Sequence, residues 1–443
     1  MKGVKEVKGF VRHAVVMVAL AALSFVGLLA RAQTQTPAPA AGQTPAQCLA
    51  DVRAYVTKRT AELRPLTSET SAKLTAERTA MTKECAAKFD VKTTPEKDLP
   101  GLASLYSEAG SPDLANAAIA RALASTSWSA AERASLLSQS ISMMLREPKG
   151  DARNARLEKV VDQLDAMPAD ALESKILAHW SMGNYYRGDD IDAGIIKHST
   201  WLIDTGKTLS PDLRQKYGPR ILPAYTNMAE AWAGQGRTAD ALALLRRAAP
   251  EWPEIPTAAS DMAPTIDRYL LVGTPAAAVI APRFLNAPAG TMRVDMTGAV
   301  TLLEFTAHWC GPCRESYPGV NRLRARFGSR GFRVVLATQL YGYFQTEHGL
   351  DAATELDRDR GYFAEHGLDV PVAVWDAITV SVKDGKVNYL PGPNVNEQAY
   401  KVGGIPQIQL IDRHGVIRLI MVGYDDANEP ALAKFIDTLL KEK

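Results

Sequence analysis

The period of the hydrophobic pattern changes once along this chain, and that change sets the fold class. From Cys48 to about residue 265, apolar residues recur at three- and four-residue intervals among Ala, Leu, Glu and Arg, the signature of helices. Pro and Gly fall mostly between these stretches, where helix breakers belong. Beyond about residue 270, strand-like runs appear: "AVTLLEFTA", "FRVVLATQ", "VPVAVWD" and "IPQIQLID". They alternate with helical stretches such as "GVNRLRARFG" and "DAATELDRDRGYFAEHG", and the chain closes on the amphipathic "EPALAKFIDTLLKEK". Alternating strands and helices indicate an α/β layered domain. The expected fold class is multidomain, with an all-α region over 48–265 and an α/β domain over 266–443. A length of 443 residues agrees with two or three domains at roughly 150 residues each.

The first thirty-two residues are of another kind. Lys2, Lys5, Lys8 and Arg12 precede an apolar run from Ala14 to Ala30, and Ala30-Arg31-Ala32 follows as a small-x-small cleavage pattern. Residues 1–32 therefore read as a secretory signal peptide, with an uncleaved membrane anchor as the alternative. Residues 33–47, "QTQTPAPAAGQTPAQ", carry no charge and no bulky apolar group, so they read as a disordered linker. Lys and Arg number 51 against 49 Asp and Glu, interspersed, and a net charge of +2 offers no basic field for nucleic acid.

Within the helical region, "MAEAWAGQGRTADALALLRRAAPEWP" places Ala229, Trp232, Gly236, Ala241, Leu245, Ala248 and Pro253 in a pattern that resembles the tetratricopeptide repeat. "LASLYSEAGSPDLANAAIARAL" is a weaker copy, with Ala103, Tyr106, Gly110, Ala115, Ile119 and Ala122, and "SMGNYYRGDDIDAGIIKH" a degenerate one. A single helical hairpin cannot bury its apolar face alone, so an array of hairpins is expected. It would serve either as a concave surface that holds a partner protein or as a helical spacer or dimerisation module.

The chain has four cysteines. Cys48 and Cys85 bracket two helical stretches with "RPLTSE" near the middle, and an antiparallel hairpin would bring them together. A structural disulfide there would contribute roughly 3 kcal/mol by restricting the unfolded chain. Cys310 and Cys313 lie at a strand-to-helix junction, "EFTAHWCGPCRESYP". There Cys310 meets the unpaired amides and positive dipole end of a helix, which favour the nucleophilic thiolate, and Cys313 follows one turn later to resolve a mixed disulfide. Pro312 fits a first turn. A purely structural bridge over so small a loop would stabilise little, and a zinc site would need two more nearby ligands. The redox-active reading is the strongest of the three.

"LLEFTAHWCGPCRESYP", with Trp309 before the first cysteine, resembles the active-site segment of the thioredoxin superfamily, and "GGIPQIQLIDRHGVI" resembles its cis-proline loop. The order of elements is most similar to the TlpA- and ResA-like exported thiol:disulfide oxidoreductases, over about residues 270–443. The resemblance implies that Cys310 attacks, Cys313 resolves, and Glu304 is a buried carboxylate relaying a proton to or from the second cysteine. It also implies that Trp309 covers the site, and that Ile405 and Pro406 present backbone to a client. Gly311 and Pro312 match the dipeptide of reducing thioredoxins. Ser316 departs from the glutamate of ResA-like reductases, His308 reads as a rim residue that could ease thiolate formation when protonated, and "TVSVKDGKVNYLPGPN", residues 379–394, is a long insert whose Lys-Asp-Gly-Lys suggests a hairpin turn.

The expected function is an exported, periplasmic protein-disulfide reductase, with a disulfide-containing client protein and a membrane thiol electron donor as partners. No metal and no cofactor is expected, since no flavin or nicotinamide motif is present. The alternatives are a partner-binding module with secondary redox activity, a disulfide oxidase or isomerase, and a thiol peroxidase, whose peroxidatic cysteine pattern is missing.

Overall fold

Helix Pro45–Glu62 starts inside the stretch that composition assigns to the linker. The Thr44 side chain accepts the Gln47 N–H at 3.3 Å while Gln47 accepts the Thr44 N–H at 3.0 Å, so a capping box and Pro45 start a helix where bulk composition is silent. The computed structural model describes residues 42–63, 68–189, 191–376, 378–383 and 386–442. The signal read over 1–32, most of the linker, and most of the "RPLTSE" turn lie outside them.

The chain divides into two compact units, one ending at Arg121 and one beginning at Ala122. In the first, Cys48 and Cys85 are joined across helices Pro45–Glu62 and Ser68–Ala86, with Cα atoms 6.1 Å apart. Glu108, on helix Leu99–Glu108, gathers these helices by pairing with Arg53 and, at 3.0 Å, with Arg78. Tyr106 donates to the Phe89 carbonyl at 2.7 Å.

Among the described residues, the second unit holds eight α-helices between Ala130 and Tyr269 and the whole α/β region. The clearest repeat-like motif forms helices Pro223–Gly234 and Thr238–Glu251, turned about Gly236 at φ +82°. The expected boundary near residue 265 is therefore not where the chain separates. The reason is a shared core: Tyr225, Ala229 and Leu245 belong to one apolar cluster with Leu303, Phe305 and Ile420 of the sheet.

That sheet has six strands, β1 (Arg283–Leu285), β2 (Val300–Phe305), β3 (Phe332–Gln339), β4 (Val372–Trp375), β5 (Gln407–Ile411) and β6 (Ile417–Val422), in the order β6-β5-β2-β3-β4-β1. β2, β3 and β4 are parallel, while β5 is antiparallel to both β2 and β6, and β1 to β4. Period-two alternation sorts the side chains. Leu303, Phe305, Val335 and Ala337 face the helical region, and Val300, Leu302, Val334 and Leu336 face a second core with helices Gly311–Phe327 and Glu429–Lys441. Covered on both faces, all six residues of β2 are buried. Strands Ile378–Lys383 and Lys386–Pro391 of the insert pair antiparallel, and the expected Lys-Asp-Gly-Lys turn falls on residues 384 and 385, outside the described residues.

Candidate redox site

β2 ends at Phe305, and four residues carry the chain to Cys310, the N-cap of helix Gly311–Phe327. Cys310 keeps extended backbone, and its sulfur accepts the Cys313 N–H at 3.2 Å. Pro312 lies in the first turn, where a missing N–H leaves no bond unmade. The two cysteines are joined as a disulfide. Cys313 is fully buried and Cys310 is 3% exposed, so Cys310 is the member of the pair that meets solvent. On reduction, the same amides and the positive end of the helix would face the Cys310 sulfur and favour its thiolate.

Opposite the pair, the Ile405–Pro406 peptide is cis, and the Ile405 carbonyl oxygen lies 3.7 Å from Cys310 Sγ. The Gly423 N–H donates to the Pro406 carbonyl at 2.8 Å and ties this loop to the end of β6. A cysteine pair capping the helix after β2, a cis-proline leading into β5 and this strand order decide the fold. The C-terminal domain is thioredoxin-like.

The chain is similar to a candidate thiol:disulfide interchange protein DsbE from Chlorobium tepidum, at 31% identity over 38% of this chain and 97% of that one, with a TM-score of 0.27. It is also similar to a thiol:disulfide interchange protein of the thioredoxin family from Chlorobium tepidum TLS, at 17% identity over 38% of this chain and 96% of that one, with a TM-score of 0.26. A thiol:disulfide interchange protein from Bacteroides sp. matches at 18% identity over 38% of this chain and 90% of that one, with a TM-score of 0.26. Neither a protein-family model nor a curated protein matches the sequence.

Beneath the cysteines of the thioredoxin-like domain lies Glu304. Alternation along β2 turns it toward the active-site helix, and it is fully buried. Ser316 Oγ donates to Glu304 Oε1 at 2.8 Å and also lies 2.7 Å from the Cys313 carbonyl oxygen, while Glu304 Oε2 has no partner among the described residues. Burial pushes the Glu304 carboxyl up to about 8, against the opposing hydrogen bond from Ser316. It can thus give or take a proton near neutral pH. One hydroxyl proton cannot serve both acceptors at once. A protonated Glu304 donating to Ser316 would free that proton for the Cys313 carbonyl. The sequence marked Ser316 only as a departure from a family pattern; its contact with Glu304 depends on tertiary packing.

Trp309 is 48% exposed and meets Tyr341 edge-on, with centroids 5.5 Å apart. His308 is not at the rim. It is buried among Tyr341, Tyr343 and Phe344, and burial pushes its imidazole down to about 4. A neutral ring held this way gives no cationic help to a thiolate at neutral pH.

The helical region reaches the rim of the site. Asp192 Oδ2 accepts from Asn428 Nδ2 at 2.5 Å and from Gln235 Nε2 at 3.1 Å. Arg268 Nη1 pairs with Glu230 Oε1 at 2.9 Å, and Arg268 Nε donates to the Lys401 carbonyl at 3.2 Å, just before the cis-proline loop. Gly403 makes room for this: a Cβ there would stand 2.0 Å from Arg268 Nη2. Among the described residues, no helix is long and apolar enough to cross a membrane.

Proposed function

We propose that the protein is an exported thiol:disulfide oxidoreductase that reduces disulfides in client proteins of the cell envelope. The observation that carries this reading is the Cys310–Cys313 pair capping a helix beside cis-Pro406, with protonatable Glu304 buried below. In the reducing direction, the Cys310 thiolate attacks one client sulfur, a Cys310–client disulfide forms, and the client disulfide breaks to release one client thiolate. Glu304, as carboxylate, takes the proton of the Cys313 thiol. The new thiolate attacks Cys310 Sγ, closing the Cys310–Cys313 disulfide and releasing the second client sulfur. The client gains two electrons, its two thiolates take one proton from Glu304 and one from water, and a membrane thiol donor would return two electrons to the pair. Trp309 and Ile405 would frame the approach.

The test is equilibration of the purified mature protein with defined dithiothreitol ratios. A potential near about −270 mV supports a reductant, and one near about −120 mV would make the protein a disulfide donor and reverse the direction assigned here.

A further inference from the structure

We propose that the helical region forms the second wall of the client groove and restricts clients to extended, polar polypeptide segments with an acidic or acceptor group beside the attacked cysteine. This rests on the redox reading above. A cleft of about 560 Å³ opens beside the pair. One wall is Pro312, Ile405 and Pro406; the other includes Asn184 and Arg187 of helix Leu172–Gly188 and Asn227 of helix Pro223–Gly234.

Two walls change what can reach the sulfur. A broad folded surface cannot lie flat on a loop that faces a helix across a slot, whereas an extended segment can enter edgewise. The volume falls within the roughly 300–1,000 Å³ of clefts that enclose a ligand. An entering backbone loses water from its N–H and C=O groups and must find partners. The far wall supplies them, since Asn184 and Asn227 each carry donors and an acceptor. Its charge adds direction. Glu230 carries one negative charge and pairs with two guanidinium groups, Arg268 at 2.9 Å and Arg187 at 3.1 Å, which leaves a surplus positive charge on the more exposed Arg187. Asp192 and Asp425 line the same cleft, so its walls carry both signs of charge.

Two variants test the wall in the full chain, Asn184→Trp to fill the slot and Arg187→Glu to reverse its charge. Both residues are exposed on their helix, and Glu230 keeps Arg268 as a partner at 2.9 Å when Arg187 is replaced, so the fold should hold. Turnover of insulin disulfides is compared with that of bis(2-hydroxyethyl) disulfide, a probe with no polypeptide to lay along the slot. The expected result is a fall of about tenfold in the insulin to small-disulfide kcat/KM ratio, mostly through KM, with added salt shrinking the Arg187→Glu effect. An unchanged ratio overturns the inference alone; a wild type inert toward both probes overturns the redox reading and this inference with it. A second measurement leaves the wall intact: Cys313→Ser should capture an oxidised peptide with Asp beside its cysteine several-fold faster than one with Lys. Equal capture rates would overturn the assignment.

Discussion

Replacing Glu304 by Gln should remove a pH-dependent loss of stability. The carboxyl holds its proton up to about 8 in the folded protein, against an ordinary value of 4.5. Between these values the folded state binds the proton that the unfolded chain has released, so stability falls as pH rises and the loss is complete above about 8. At about 1.4 kcal/mol per pH unit, the full interval amounts to about 5 kcal/mol. Glutamine matches the neutral acid in shape and does not titrate. Urea unfolding of the oxidised protein at pH 4.5 and pH 9, compared between wild type and Glu304→Gln, isolates the effect, because other titrating groups are common to both. Near-equal stabilities are expected at pH 4.5. At pH 9 the variant should be the more stable by about 5 kcal/mol. Parallel loss of stability in the two proteins would refute the assignment of a buried, elevated carboxyl at this position.

Four other substitutions have defined outcomes. Cys313→Ser should accumulate a stable Cys310–client disulfide on non-reducing gels, whereas Cys310→Ser should form none and lose exchange activity entirely. Arg268→Ala removes one partner of a pair whose side chains are 5% and 9% exposed, and should cost about 3–5 kcal/mol by urea midpoint; an effect below about 1 kcal/mol would mean that Arg187 alone satisfies Glu230. Cys48→Ser opens a link between residues 37 apart and should lower the stability of the N-terminal unit by about 3 to 4 kcal/mol, visible as an earlier melting transition.

The sequence by itself determined the local chemistry. Cys310 at a helix start, Pro406 before a strand, and the runs that became β2, β3, β4 and β5 were all legible, because strand alternation and helix-start signals are written within a few residues of where they act. Periodicity states that a residue has an apolar face but not which partner covers it. Only the tertiary structure decided that Ile420 and Phe305 pack against Tyr225, and so erased the expected boundary near residue 265. His308 reads like a rim histidine until Tyr341 and Phe344 close around it. The wall opposite Pro406 likewise depends on contacts such as Arg268 with Lys401, 133 residues apart, a distance over which no local pattern carries information. Ser316 marks the same division: its identity was plain, but its bond to Glu304 exists only because a strand and a helix meet there.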